Sequence, residues 1–426
     1  MLSALASGFK VPDVRKRLAF TAFILLLYRV GSYLPTPGVD TKAVQSAFNG
    51  QNGAGGTILG LLNNFSGQAL QNLSFFALGI MPYITASIIV QLLTVVVPSL
   101  EKAQKEGDTG QKKITQLTRY LTVGLAIAQS AGYTFLFSHG SSIGSANVLP
   151  NLDVQRFLLI VTTLTAGATL LMWLGELITR RGLGNGQSLL IFASILVSAP
   201  PAINAWLNGT SFQKLSLPFI TLAVIAAVVF IQEGQRRIPI QYAKRMVGSR
   251  MTSGSATYMP LRVNMAGVIP VIFAAAILFF PPTVGQLVPN LGWLSRTFQY
   301  TSWPSMILEF FLILGFTFFY TAVQFNPVDQ ADNLKKFGGF IPGIRPGRPT
   351  AQYLDYVITR LTLPGALFLA VIAVAPTLFI KYAGFSQAVA RGLGGTSILI
   401  IVGVALDTVR QMESQIMMRN YEGFLR

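Results

Sequence analysis

Residues Thr57–Val97 read TILGLLNNFSGQALQNLSFFALGIMPYITASIIVQLLTVVV. Three glycines, Gly53, Gly55 and Gly56, precede the stretch, and its first apolar run (Ile58, Leu59, Leu61, Leu62, Phe65) stops at Ser66. That run is half of the roughly 20 apolar residues a helix needs to cross a bilayer. The segment from Leu73 to Val97 is long enough to cross. Non-helical backbone survives at membrane depth only where protein or a water-filled cavity shields it. A half-crossing segment that feeds a full span is therefore expected to enter a cavity like a stopper. The alternative is an amphipathic segment lying on the membrane surface.

Composition sets the class. Soluble chains carry about 25% charged residues, whereas these 426 residues are 11% charged and 52% hydrophobic, with a mean hydropathy of +0.55. Such a chain is expected to be an all-α polytopic membrane protein. It has no cysteine, which excludes disulfides, thiolate metal sites and cysteine nucleophiles together. The N-terminus, MLSALASGFKVPDVRKR, sets a basic cluster before an apolar span that runs into Tyr28 and Arg29 with no small-residue cleavage site. It reads as a retained first helix and not as a removable signal.

Apolar segments of spanning length recur at about Leu18–Leu34, Leu73–Val97, Leu117–Phe137, Phe157–Ile178 and Leu189–Trp206. Five more follow at Leu215–Gln232, Met265–Phe280, Met306–Phe325, Leu361–Ile380 and Ser397–Leu406, the last expected to stay helical through Met412. Ten spans put both termini on one side. With the N-terminus inside, 25 of the 32 Lys and Arg residues fall on cytoplasmic segments, and the outside keeps seven. Basic residues favour the cytoplasmic side, so the two long basic loops, 235–262 and 326–360, face the cytoplasm of an inner membrane.

Ten spans divide into two halves of five, residues 1–206 and 207–426, which must have opposite orientation. An inverted repeat is then expected. The second span of the first half contains GIMPYITASII (Gly79–Ile89), and its counterpart contains GVIPVIFAAAI (Gly267–Ile277). Five of the eleven aligned positions are identical, and the match falls where an inverted duplication requires it.

Chemistry is scarce inside the spans. Glu176, Glu309 and Asp407 sit near span ends and read as interfacial or helix-end carboxylates. His139, the lone histidine, falls in a Gly/Ser-rich loop and reads as solvated. No metalloprotease, hydrolase or phosphate-loop spacing occurs. Neither a catalytic constellation nor a metal or cofactor site is expected. Isoleucines are plentiful instead. Ile80 and Ile84, like Ile191 and Ile195, are four apart and share a helix face; Ile272 and Ile400 join them at similar depth. Any one of them fits lipid or packing, but a ring of such side chains would close a pore by excluding water and ions.

The whole chain resembles the SecY family, the channel subunits of the bacterial Sec protein translocase. The resemblance is carried by FALGIMPYITASIIVQLL (76–93), Gly184-Asn185-Gly186, PLRVNMAGVIP (260–270) and FIPGIRPG (340–347). It implies ten transmembrane helices in two inverted five-helix halves, with a short re-entrant plug helix at about 57–70 that includes Ile58, Leu59, Leu62 and Phe65. It implies a pore ring at Ile80, Ile84, Ile191, Ile195, Ile272 and Ile400. A lateral gate, lined by Thr85, Gln91, Gln129 and Asn264, would release apolar segments into lipid. The resemblance also implies small membrane subunits SecE and SecG. In the loops, Lys244, Arg245, Arg250, Arg345 and Arg348 would dock the motor ATPase SecA or ribosomal RNA, while signal peptides and unfolded nascent chains would occupy the pore. A small-solute secondary transporter would share the repeat, but it would need midplane carboxylates. Two departures from the family pattern are the tail, which ends soon after Tyr421, and the plug's own sequence (Asn63, Asn64, Gln68), family-like in placement and not in detail.

Overall fold

The protein is seen here as a computed structural model that describes residues 11–49, 58–138, 153–242, 246–247, 250–251, 256–278, 281, 291–298 and 302–424. His139, Lys244, Arg245 and the glycines before Thr57 lie outside the described residues. Among the described residues, seven helices are long and apolar enough to cross a membrane: Asp108–Ser138, Val154–Arg181, Gly186–Leu207, Ser211–Glu233, Trp303–Lys336, Arg348–Tyr382 and Gly395–Met418. Met81–Val96 and Pro98–Lys105, bent by 99° at Val97, make an eighth if counted as one broken span. The chain is a mostly helical, polytopic membrane fold.

Each of the ten apolar segments contains a helix, and the three that fall short do so for visible reasons. Pro12–Gly31 carries charge at both ends, from Asp13 through Arg17 and at Arg29. Met81–Val96 starts eight residues later than the apolar run begins, and Ile269–Leu278 is only 10 residues long. Both late starts follow a glycine in left-handed backbone, Gly79 at φ 58° and Gly267 at φ 63°. A helix cannot be continued backwards through that conformation, which only glycine adopts cheaply. The two aligned stretches are built alike after it. Tyr83 and Ile84 both donate their N–H to the Ile80 carbonyl at 3.1 Å, as Val271 and Ile272 do to Val268 at 3.1 and 3.2 Å. Pro82 and Pro270 then occupy the second helical position, where a missing N–H costs nothing.

The expectation of an all-helical chain needs one correction. The loops carry two antiparallel sheets: a two-stranded one from β2 (Met246–Val247) and β3 (Arg250–Met251), and a three-stranded one, ordered β4-β1-β5, from β1 (Gln235–Tyr242), β4 (Ala256–Arg262) and β5 (Gly339–Phe340). In β1, Ile238 and Ile240 are buried while Arg237, Pro239 and Gln241 are exposed, the period-two pattern of a half-buried strand. β5 comes from the second long loop and pairs Gln241 with Phe340, so the sheet ties both basic loops into one body. Beneath it Ile238, Ile240, Leu261, Leu334, Ile341, Leu354 and Val357 form a small core of their own. At 1.5 Å per residue, Arg348–Tyr382 has 35 residues and so a length of about 50 Å. Its first turns stand clear of a hydrocarbon layer about 30 Å thick and hold that core.

The main core joins residues of nearly every long helix, including Ile24, Tyr28, Leu73, Leu164, Leu171, Val271, Ile313 and Leu369. The last helix runs on to Phe424, well past the expected end near Met412. Ser211–Glu233 turns an apolar face outward, with Phe212, Leu215, Phe219, Leu222 and Phe230 all exposed. These recur at helical spacing, as on a lipid-facing stripe.

Candidate functional site

Ile80, Ile84, Ile191, Ile195, Ile272 and Ile400 are each at most 5% exposed and belong to one contiguous apolar cluster. They come from four separate stretches of chain: the turn and helix at 80–96, the helix Gly186–Leu196, the helix Ile269–Leu278 and the last helix.

A cavity of about 450 Å³ adjoins the cluster on the side of the sheet, lined by Ser188, Gln232, Arg262, Asn264, Val268, Val404, Asp407 and Arg410 among others. Three helical stretches fix its depth. Ser188 lies three residues before Ile191, Val268 four before Ile272, and Val404 four after Ile400. One helical turn, about 5.4 Å, therefore separates the polar cavity from the isoleucines on each of them.

On the opposite side lies the short helix Ile58–Phe65. The side chains of Ile58, Leu59 and Leu62 are outside the described residues; Phe65 is buried in the main cluster. The helix ends in a turn of left-handed residues, Gly67 and Gln68, and the first span grips two consecutive carbonyls of that turn. Tyr28 donates its hydroxyl to the Ser66 carbonyl at 2.9 Å, and Arg29 donates to the Gly67 carbonyl at 3.0 Å. Ser194, one turn past Ile191, lies 2.7 Å from the Tyr28 hydroxyl. Within the turn, Asn63 holds Gln71 through its main-chain and side-chain amides, at 2.9 and 3.1 Å. A Cβ on Gly79 would come within 3.1 Å of Ser66 Cα, so the foot of the short helix sits directly on the turn that leads to Ile80. Along the chain from Gly186, the cavity meets Ser188, Ile191 follows, and the foot meets the chain around Ile195, through Ser194 before it and through the Val197 carbonyl after it, which accepts from Gln68 at 3.4 Å. Composition pointed to the isoleucines and the short run; Tyr28, Arg29, Ser66 and Ser194 carried no signal beyond two polar residues at a span's end.

The four polar residues expected at a gate separate. Thr85 is buried and donates to the Met81 carbonyl of its own helix at 3.0 Å. Gln91 on that helix and Gln129 on Asp108–Ser138 are half-buried, and these two helices pack together. Asn264 lines the cavity instead, donating to the Gly267 carbonyl at 2.9 Å. Met81–Val96 also touches Ile269–Leu278, which packs through Phe273 edge-on to Phe316 and Tyr320 of the next span. Among the loop cations, Arg345 and Arg348 are exposed. Arg345 stands on a turn set by Gly343 at φ 83° and Gly347 at φ 106°, and its carbonyl accepts from Thr350 at 2.9 Å. Arg250 lies in a two-residue strand, its side chain outside the described residues.

The three carboxylates are held in different ways. Glu176 is gripped in a two-pronged pair by Arg119 across two helices, with Arg180 at 3.7 Å. Glu309 is 3% exposed and accepts from the Thr396 hydroxyl at 2.8 Å, so burial beside a hydroxyl replaces the expected contact with water. Asp407 lines the cavity, 3.7 Å from Arg410. Among the described residues no group of His, Cys, Asp and Glu is placed to hold a metal ion.

Comparison with known proteins agrees with this geometry. The family model for SecY matches residues 74–409. The chain is 50% identical to the protein translocase subunit SecY of Streptomyces scabiei over 442 aligned residues, with 100% of both chains covered. It is 49% identical to that of Mycobacterium tuberculosis, again with 100% of both covered. Among solved structures, it matches one described as a protein-conducting channel with a TM-score of 0.64, at 17% identity over 96% of both chains. Sec61 in a canine ribosome-channel complex gives 0.59 at 16% identity, also over 96% of both. At such identities the solved structures speak for the fold alone; the family model and the full-length relatives go further, and by them the chain belongs to the SecY family.

Proposed function

We propose that this translocase subunit is a passive conduit: it passes unfolded secretory polypeptides across the cytoplasmic membrane and releases their apolar segments sideways into lipid. The family is one of channel subunits and not of enzymes, and the relatives at about half identity are translocase subunits, so a small-solute transporter finds no support. One observation carries the mechanism. Six isoleucines from both halves of the chain share one apolar cluster, with a polar cavity a turn away on one side and the short helix's foot on the other. A collar of that kind offers an ion no replacement for its water, while branched side chains can part around an extended chain.

The finer architecture is part of the proposal. Ten transmembrane helices form two inverted five-helix halves, 1–206 and 207–426; the Gly-x-x-Pro turns at 79–82 and 267–270, built alike, support that pairing. Ile58–Phe65 is the plug, and the contact of Met81–Val96 with Ile269–Leu278 is the seam of the lateral gate, beside Thr85, Gln91 and Gln129. Both termini face the cytoplasm, as the basic residues favour. The sheet-bound loops, with Arg250, Arg345 and Arg348 and the neighbouring Lys244 and Arg245, dock the ribosome or the motor SecA. SecE and SecG complete the membrane complex. The test uses a secretory chain stalled in transit: photocrosslinkers placed beside Ile84 and Ile272 should capture it, and capture only by lipid-facing positions such as Phe219 would end the proposal.

A further inference from the structure

The cavity below the isoleucines holds two side-chain amides, one that the fold leaves wholly unpaired among the described residues and one whose oxygen it leaves unpaired. Gln232 is 3% exposed and Asn264 5%. Among the described residues neither the oxygen nor the nitrogen of the Gln232 amide has a hydrogen-bond partner, and the Asn264 oxygen has none. Native folds seldom bury such groups unpaired. The position of Gln232 is nevertheless built. Its backbone carbonyl accepts from Arg410, which also pairs with Glu233 at 3.1 Å. A Cβ on Gly403 would fall 2.8 Å from Gln232 Nε2, so the glycine of the facing helix leaves the amide its room. A second cavity, of about 660 Å³, shares Gln232, Arg262, Arg410 and Ser414 with the first. Gln232 therefore stands on the wall where the two spaces meet, one turn below the collar.

The chemistry of the lining narrows the ligand. Arg262 and Arg410 face three carboxylates, Asp407, Glu233 and Glu413, so the walls carry both signs and do not make an anion site, while both guanidiniums already stand among the carboxylates. A primary amide donates and accepts at once, which is the complement of a peptide group and of no particular side chain. We propose that Gln232 and Asn264 form a site that hydrogen-bonds the main chain of an extended polypeptide as it enters the collar, reading backbone in place of sequence. The site rests on the reading of the protein as a conduit. It would serve a channel that must accept unrelated chains, by replacing water on successive peptide groups just before they enter an apolar ring.

The complete translocase, reconstituted in vesicles and driven by its motor ATPase, tests this with two secretory proteins of unrelated sequence. Gln232→Met keeps the side chain's shape and removes its hydrogen bonds. Because the amide bonds nothing in the fold, the variant should melt no lower than the parent. It should slow both cargoes about fivefold, the size of one net hydrogen bond. A lower melting temperature would show the amide bonded within the fold, and slowing of one cargo alone would show side-chain recognition; either overturns the site. Transport at the parent rate would leave the amide to water and overturn it too. The lack of native cysteine allows a separate check with Ser188→Cys, which should form a disulfide with a single-cysteine chain stalled in transit. Crosslinking there with normal Gln232→Met transport removes the amide site and leaves the conduit standing; no crosslink removes both.

Discussion

Tyr28→Phe removes one oxygen from the first span, where it grips the foot of the short helix Ile58–Phe65, and nothing else. That hydroxyl donates to the Ser66 carbonyl at 2.9 Å and meets Ser194 at 2.7 Å. Ser194 has a second acceptor in the Leu190 carbonyl at 2.8 Å, so it loses little. The Ser66 carbonyl keeps a long bond from the Ala69 amide at 3.3 Å. Leaving a buried acceptor underpaired costs about 1–3 kcal/mol. The Ala69 bond and Arg29 on the next carbonyl hold the loss to the lower part of that range, about 1–2 kcal/mol, which is a factor of about 5–30 in an equilibrium. The cost falls on the seated short helix alone, since a displaced Ser66 carbonyl is free to meet water. The resting channel should therefore open about 5–30 times more often. Single-channel recording of the reconstituted translocase in planar bilayers, without cargo, reads this directly. Ser194→Ala should change it far less. Equal opening frequencies in Tyr28→Phe and the parent would refute the latch.

Gly79→Ala and Gly267→Ala each force a side chain into left-handed backbone, worth about 1–2 kcal/mol. Gly79→Ala should lose more in thermal melting, because its Cβ also meets Ser66 Cα at 3.1 Å whereas Gly267's meets only Asp407 at 3.4 Å; equal losses would place the short helix's foot elsewhere. Glu176→Gln leaves Arg119 without its carboxylate, and a buried pair broken on one side costs about 3–5 kcal/mol. With Arg119's side chain 32% exposed, the low end is expected, and an unchanged melting temperature in detergent would contradict it. Arg345→Glu reverses a charge on an exposed turn and touches no core residue. Insertion and melting should stay normal while motor-driven export is lost; normal export would remove Arg345 from the docking surface.

Much of this was legible in the chain because membranes impose simple rules. Low charge and repeated apolar runs gave the helices, and a run too short to cross marked Ile58–Phe65. Gly79 and Gly267, matched with their prolines, turned out to share a backbone conformation. The three-stranded sheet is not legible in the same way, because the alternation Arg237, Ile238, Pro239, Ile240, Gln241 is short and acquires its partners only from distant residues, Ala256–Arg262 and Gly339–Phe340. Helix ends were misjudged where hydropathy and backbone disagree: Leu73–Ile80 is apolar, yet it turns, with Leu73 in left-handed backbone and Phe75 bonded to the Leu34 carbonyl at 2.8 Å. The latch and the cavity amides were invisible for a different reason. They join residues as far apart as Tyr28 and Ser194, or Gln232 and Gly403, and pairings at that distance leave no periodic trace.

The collar itself can be tested by its resistance to ions. Ile80→Asn, Ile272→Asn and Ile400→Asn should each admit water among the isoleucines and raise the resting conductance of the cargo-free translocase, whereas Phe219→Asn, on the outward face, should not. Three asparagine channels as tight as the parent would mean that these side chains do not close the passage.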